Sequence, residues 1–124
     1  MDDLNFLKRG GRVSATTAFV GTMLSIKPIM HTSDEGKLVP VGKARGRKAA
    51  LKALLDSIER LAIRPEEQTM FICHADCEEE ARAVARQIKD RFGTKTVHIN
   101  YIGPVIGSHT GPNTMGIFFI GTKR

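Results

Sequence analysis

The sequence is short of the residues that build disulfide frameworks, membrane spans and base-stacking surfaces. Among its 124 residues there are two cysteines, no tryptophan and one tyrosine. Two cysteines are too few for a disulfide framework and are typical of a reducing compartment. No apolar run approaches the ~20 residues that a membrane-spanning helix needs, and the N-terminus lacks the basic and then apolar pattern of a signal peptide. We therefore predict a cytoplasmic protein without stable membrane insertion.

Signatures of nucleotide, metal and nucleophilic sites are also missing. The sequence has no glycine-rich loop ending in Gly-Lys-Ser or Gly-Lys-Thr, and no predicted strand is followed by Gly-x-Gly-x-x-Gly, so the usual phosphate cradles are absent. The run from Cys73 to Cys77 contains metal-ligand residue types, but a second ligand pair is missing. Cys73 and His74 are neighbours on a predicted strand, where side chains alternate between faces and cannot easily pair. We expect no metal, no cofactor and no catalysis by this chain.

Positive charge is concentrated in one segment. The formal net charge is +6, and six cations without any acid lie between Gly36 and Leu55. These cations are Lys37, Lys43, Arg45, Arg47, Lys48 and Lys52. The segment is either a solvated helix face or a surface that attracts an acidic partner protein, a nucleic acid, an anionic membrane surface or a phosphorylated ligand. Aromatic residues are only 6% of the chain and none interleaves with these cations, so we expect no nucleic acid.

Hydrophobic periodicity predicts one α/β domain over residues 1–124. Apolar residues at helical spacing predict amphipathic helices over 45–62 and 77–92. Strand-like runs near residues 70, 97 and 117 are expected to share a sheet against which these helices pack. Two further strand-like runs flank Ser33-Asp-Glu-Gly36 and predict a β-hairpin near residues 26–42. The predicted fold class is α/β, with a mixed β-sheet flanked by helices, the hairpin being the reason for a mixed sheet.

Four local features complete the predicted organisation. A short helix ends on Gly10-Gly11, and Ser14 begins a second helix that runs to about Leu24. Asp76, followed by Glu79, resembles the capping box of the third long helix. The run from Met115 to Ile120 is apolar throughout, as expected of a strand that is covered on both faces.

A glycine-rich polar segment, residues 103–114, lies directly before that apolar strand. Its glycines let the backbone bend and let a ligand approach the amides, while Ser108, His109 and Thr110 supply donors. The combination suggests a pocket for an oxyanion beside an apolar wall. The alternative is an ordinary turn that connects two strands.

Several ordered motifs give the chain a family resemblance. They are Leu7-Lys-Arg-Gly-Gly-Arg12-Val-Ser14, Gly21-Thr-Met-Leu-Ser-Ile26-Lys-Pro28-Ile, Gly36-Lys-Leu-Val-Pro40, Arg45-Gly-Arg47-Lys48 and Ile102-Gly-Pro-Val-Ile-Gly107-Ser-His109-Thr110-Gly-Pro112. Together they resemble, nearly end to end, the C-terminal domain of the DegV family of bacterial fatty-acid-binding proteins. Members have two α/β domains, bind a long-chain fatty acid between them, and present its carboxyl group to a fatty acid kinase. The resulting acyl-phosphate feeds phospholipid synthesis.

The resemblance implies roles for particular residues. His109, Thr110 and Ser108 would lie near the fatty-acid head group, with Arg12 supporting that polar network. Arg45, Arg47 and Lys48 would belong to the surface that engages the kinase. Candidates for the acyl-chain lining, each of which is otherwise a core residue, are Phe19, Val20, Met23, Ile26, Ile29, Ile117 and Phe119.

The chain departs from the family pattern in two respects. It has no counterpart of the family's N-terminal domain, so we interpret it as a fragment that binds fatty acid poorly alone and forms oligomers through an uncovered apolar face. Asn113 stands where the family more often has glycine, and asparagine tolerates the left-handed conformation. The alternative function is an interaction module that docks an acidic partner through the basic segment, without lipid.

Overall fold

The computed structural model describes residues 4–11 and 25–123. In chain order the elements are α1 (Leu4–Arg9), β1 (Ile26–Thr32), β2 (Leu38–Arg45), α2 (Arg47–Leu61), β3 (Thr69–His74), α3 (Glu78–Phe92), β4 (Thr96–Tyr101), α4 (Pro104–Thr110) and β5 (Met115–Phe118). This order confirms the predicted one, except that the segment predicted as a turn before β5 contains α4. The predicted helix from Ser14 to Leu24 lies outside the described residues, as do Arg12, Phe19, Val20 and Met23.

The strands form two separate sheets. β1 and β2 pair as an antiparallel hairpin, and the second sheet has the order β4-β3-β5. In that sheet β3 is parallel to β4 and antiparallel to β5. The predicted α/β class with a mixed sheet is therefore confirmed, but the reason given for it was wrong: β5 makes the sheet mixed, because the hairpin stands apart.

The hairpin continues further along the chain than predicted. Gly36 has a φ of 75° at the tip, where Ser33 N donates to Lys37 O at 2.8 Å. β2 then extends to Arg45, and Gly46, with a φ of 83°, turns the backbone into α2. Only glycine adopts such a φ without strain, so α2 begins at Arg47 rather than at Arg45.

The core lies between α2, α3 and one face of the three-stranded sheet. Ile58, Met70 and Ile88 are completely buried there, and Ile117 and Phe119 pack against them. The predicted helical stripes are thus confirmed as the core-facing surfaces of α2 and α3. Burial of this apolar area is what holds the two helices against the sheet.

The other face of the β4-β3-β5 sheet is uncovered within the described residues. Phe71 is 51% exposed and Phe118 is 55% exposed. The expectation that the strand after residue 114 is covered on both faces was therefore wrong. The apolar run conceals an ordinary alternation, in which Ile117 and Phe119 turn to the core while Phe118 turns away from it.

α3 begins differently from the prediction. The residue that caps its first turn is Cys77, and no side chain makes a capping hydrogen bond. Asp76 has a φ of 55° and precedes the cap, so the predicted capping box was wrong. The glutamates at 78, 79 and 80 occupy the first turn, where negative charge favours the helix dipole. The predicted end of this helix at residue 92 is confirmed, and Gly93 follows it in the left-handed conformation.

Candidate functional site at the carboxyl edge of the sheet

The strands β3 and β4 are parallel, so their carboxyl ends meet at one edge of the sheet. We call this edge the carboxyl edge and define it as residues 74–77 and 101–114. It is closed by backbone hydrogen bonds from Ile102 N to His74 O (2.8 Å) and from Asn113 N to Ala75 O (2.7 Å). In α/β proteins, ligands bind outside the carboxyl ends of the strands. Of the predicted head-group residues, Ser108, His109 and Thr110 therefore lie where the topology favours a site.

The glycine-rich segment at this edge is a short helix rather than a turn. Pro104 occupies its first turn after Gly103, and α4 ends at Gly111, whose φ is 77°. Proline at the start and glycine past the end are the ordinary signals of a helix. The sequence interpretation gave more weight to the glycines than to Pro104, although Gly107 is tolerated inside the helix at a cost of ~1 kcal/mol.

The hydroxyl groups predicted to contact a head group are engaged within α4. Ser108 Oγ donates to Val105 O at 2.9 Å, and Thr110 Oγ1 donates to Ile106 O at 3.0 Å. Thr110 is buried, and its own carbonyl accepts from Thr114 Oγ1 at 3.0 Å. A carboxylate only accepts hydrogen bonds. In this arrangement the hydroxyl protons of Ser108 and Thr110 are not available to a carboxylate, and His109 is left as the donor.

His109 lies at the junction of α4 and α1. Its ring rests against the backbone of Gly10, where an added Cβ would stand 3.0 Å from His109 Cγ and nearer still to Nδ1. Two residues further on, the Phe6 ring covers Gly111, where an added Cβ would meet Cδ2 of Phe6 at 2.6 Å. Arg9 is an exposed cation whose guanidinium lies over the Phe6 ring, 5.9 Å from the ring centre. The end of α1 therefore brings a glycine surface to His109, and α1 carries a positive charge over the neighbouring Phe6 ring.

Arg47 connects three segments at the carboxyl edge. Its Nε donates to Glu80 Oε2 at 2.7 Å, Nη2 approaches the same oxygen at 2.6 Å, and Nη1 donates to Asn113 O at 2.5 Å. Its side chain is 20% exposed. The structure thus distinguishes Arg47 from Arg45 and Lys48, the two other residues predicted to dock a partner, which are exposed.

The cysteines near this edge are protected thiols. Cys77 Sγ lies 3.6 Å from Thr114 O, to which it donates, and Cys73 lies on the uncovered face of the sheet. Burial raises the pKa of both thiols above the ordinary range, which keeps them protonated and poorly nucleophilic. His74 is buried, with Nδ1 accepting from Cys77 N at 3.4 Å and its ring 4.7 Å from that of Tyr101. These contacts describe a structural histidine.

The predicted acyl-lining residues that the structure describes are divided between two places. Ile26 and Ile29 are half-buried in the hairpin sheet, whereas Ile117 and Phe119 pack against the core. The sequence interpretation missed the apolar surface on the uncovered face, which we call the open face. It forms a groove of about 440 Å³ lined mainly by Phe71, Cys73, His98, Asn100 and Phe118. The two-residue side-chain period of a strand, applied to β3, was the signal that could have revealed it, because it places Phe71 and Cys73 on one face.

The described residues hold neither a metal-binding cluster nor a membrane-spanning helix. Residues 4–11 and 25–123 contain no group of three or more histidine, cysteine or carboxylate side chains arranged to hold a metal ion. Over the same residues, no helix combines the length and the apolar character that crossing a bilayer requires.

Comparison with known proteins assigns the family. A family model described as "Uncharacterised protein, DegV family" matches residues 1–122. A DegV domain-containing protein of Clostridium perfringens is 48% identical over 124 residues, which cover 100% of this chain and 43% of that protein. The chain thus spans less than half the length of this relative.

Solved structures agree. A DegV family protein from Ruminococcus gnavus, refined with vaccenic acid, is 27% identical with a TM-score of 0.81, and the match covers 94% of this chain and 41% of that one. A DegV family protein from Thermus thermophilus, described for its fatty acid binding, is 32% identical with a TM-score of 0.74, over 93% of this chain and 41% of that one. The sequence match and the shared fold together show that this chain belongs to the DegV family.

Proposed function

We propose that this chain forms one side of a fatty-acid-binding site in which His109 donates a hydrogen bond to the carboxylate. The observation that carries the proposal is the placement of His109 at the carboxyl edge, half-buried between α4 and α1, next to hydroxyl groups that are already engaged. One solved relative was refined with vaccenic acid, and another is described for its fatty acid binding. Arg12 remains the predicted support for this network.

Apolar contact is expected to dominate the affinity. At about 0.8 kcal/mol per buried methylene, a chain of roughly fourteen methylenes contributes on the order of 10 kcal/mol. If the apolar wall is shared equally with the part of the relatives that this chain does not match, about 5 kcal/mol is missing here, which weakens binding several thousandfold. The head group then mainly sets the orientation of the ligand.

The test is a comparison of two ligands that differ only in their head group. Dodecanoate, kept below its micelle concentration, and dodecanol, kept below its solubility limit, are titrated into the chain while the His109 imidazole signals are followed by NMR. We expect weak binding of both, with the imidazole signals responding to the acid alone. His109→Ala should weaken the binding of the acid by about tenfold, which is the magnitude expected of a hydrogen bond to a charged group. Ser108→Ala should leave the binding of the acid unchanged. Equal responses to acid and alcohol, or an unchanged affinity in His109→Ala, would refute the proposal.

We further propose that Arg45 and Lys48 engage an acidic surface of a fatty acid kinase. Both are exposed at the junction of β2 and α2, whereas Arg47 between them is used within the fold. In this proposal the chain presents the acid in the cytoplasm and does not itself catalyse the phosphorylation, and the acyl-phosphate supplies phospholipid synthesis.

Charge reversal separates this docking from lipid binding. The Arg45→Glu/Lys48→Glu variant should lose kinase affinity at low salt, where surface attraction is strongest, and keep its response to dodecanoate. Lys95→Glu is the matched control, because Lys95 is an exposed cation just before β4, at the opposite end of the sheet. Equal losses in the double variant and in the control would refute a specific docking surface.

A further inference from the structure

We infer that Gly10 is a positioning residue for His109: the absence of a side chain at position 10 creates the space in which the imidazole lies and turns Nε2 away from α1. The part of this inference that concerns a ligand rests on the proposed function, because it identifies Nε2 as the atom that meets the carboxylate. The packing part concerns this chain alone.

The backbone does not explain why position 10 is glycine. Gly10 N donates to Phe6 O at 3.0 Å, which fixes it at the end of α1, and its φ lies outside the left-handed region. An alanine could adopt that conformation. The adjacent Gly11 is the opposite case, since its φ is 68° and an added Cβ would meet nothing within 4 Å. Gly11 is required by the turn, and Gly10 is required by its neighbour.

That neighbour is His109. An ideal Cβ at position 10 would overlap Nδ1, stand 3.0 Å from Cγ and 3.2 Å from Cε1. Contacts of Cβ below about 3.0 Å do not occur in well-packed proteins, so the imidazole would have to move. Since Nδ1, Cγ and Cε1 are the ring atoms nearest to that Cβ position, Nε2 lies on the side of the ring away from Gly10. The geometry therefore leaves Nε2 as the nitrogen directed away from the glycine at the end of α1.

A second contact of the same kind fixes the two helices relative to each other. The Phe6 ring covers Gly111, where an added Cβ would stand 2.6 Å from Cδ2 and 2.7 Å from Cγ of the ring. Leu7, which is 0% exposed, anchors α1 between these contacts. A ring from each helix thus lies on a glycine of the other, on either side of Thr110. This arrangement restricts the orientation of His109 more than a single contact would.

The decisive experiment is a double-mutant cycle on the 124-residue chain. Urea unfolding is measured for Gly10→Ala, for His109→Ala and for the double variant. Gly10→Ala alone should raise the unfolding equilibrium constant about tenfold, as expected of overpacking. In the His109→Ala background the same substitution should change it less than twofold, because the ring that the Cβ would overlap is gone. Gly103→Ala is the control, since Gly103 has a φ of −59° and open space around it.

Spectroscopy gives a readout that a general loss of stability does not move. The His109 imidazole resonances should shift in Gly10→Ala under conditions where the chain is still folded, and should not shift in Gly103→Ala. For the ligand, His109→Gln should retain more dodecanoate binding than His109→Asn, because the glutamine amide reaches the position of Nε2 and the asparagine amide that of Nδ1.

Several outcomes would overturn the inference. Equal costs of Gly10→Ala in both backgrounds would show that the imidazole does not occupy this space, and so would unchanged imidazole resonances. If Gly10→Ala does not fold, the double variant decides: its failure to fold as well would also count against us. The cycle contains no lipid, so an intact coupling without any fatty acid binding would refute the proposed function and leave the positioning role standing.

Discussion

Replacement of Arg47 by alanine should destabilise the chain far more than replacement of its exposed neighbours. Arg47 joins the first turn of α2 to Glu80 at the start of α3 and to the carbonyl of Asn113 after α4. Its removal frees the segment that carries His109 from both long helices. In the sequence, Arg47, Arg45 and Lys48 are all cations of one basic segment. The prediction therefore separates a structural contact from a surface charge.

The expected magnitude follows from the exposure of the partners. The Arg47 side chain is 20% exposed and that of Glu80 is 42% exposed, so the ion pair is partly screened and contributes about 1 kcal/mol. The hydrogen bond to the Asn113 carbonyl adds about 1 kcal/mol. We therefore expect the free energy of unfolding to fall by about 2 kcal/mol. For a chain of this size, that corresponds to a decrease in Tm of about 8 °C.

Urea unfolding and thermal unfolding, monitored by circular dichroism, measure both quantities. Lys48→Ala is the matched control and should change the free energy of unfolding by less than about 0.5 kcal/mol. Arg47→Lys should recover under half of the loss, because lysine lacks the planar fork that reaches two acceptors. If Arg47→Ala and Lys48→Ala unfold at the same urea concentration, Arg47 does not hold these segments together and the reasoning fails.

Three further predictions concern titration and assembly. Burial raises the pKa of Cys73 and Cys77, so both should react with iodoacetamide more slowly than free cysteine at pH 7.5. The free energy of unfolding should also fall as the pH rises above about 8.5, because the unfolded chain then releases protons that the native thiols retain. Alkylation at the rate of free cysteine would contradict this. A hydrogen bond from Lys52 lowers the pKa of Asp56, so the contribution of Asp56 to stability is present above about pH 3.9 and is lost as the pH falls through its native pKa. Urea unfolding between pH 2 and 6 should therefore show a smaller loss of stability toward low pH for Asp56→Asn than for the unsubstituted chain. Light scattering should show a dimer or larger assembly formed through the open face, and Phe118→Glu should give a monomer; a monomer at high concentration before substitution would contradict the prediction.

The parts of the fold that were predictable are those recorded in local patterns. The stripes of α2 and α3 repeat with the helical period, so the core residues Ile58 and Ile88 could be identified without any knowledge of their partners. The hairpin was equally predictable, because its acidic, glycine-containing tip separates two strand-like runs. In each case the residues that specify the element lie within it.

α4 could not be predicted with the same success, because its stability is not local. Three glycines in residues 103–111 argue against a helix on propensity alone. The helix is completed by contacts with partners that the local sequence does not reveal, namely the Phe6 ring on Gly111 and the hydrogen bond from Thr114 to the last turn. Pro104 at the start and Gly111 past the end were the local signals in its favour.

The sequence by itself determined the family, the order of the described elements apart from α4, and the candidate histidine, since motifs and periodicity depend only on the order of residues along the chain. Only the tertiary structure decided which hydroxyl protons are already engaged, that Arg47 faces Glu80 while Arg45 faces solvent, and that Gly10 leaves room for an imidazole from the other end of the chain. The physical reason is that donors, charges and empty volume acquire their roles from neighbours in space, and those neighbours are distant in sequence.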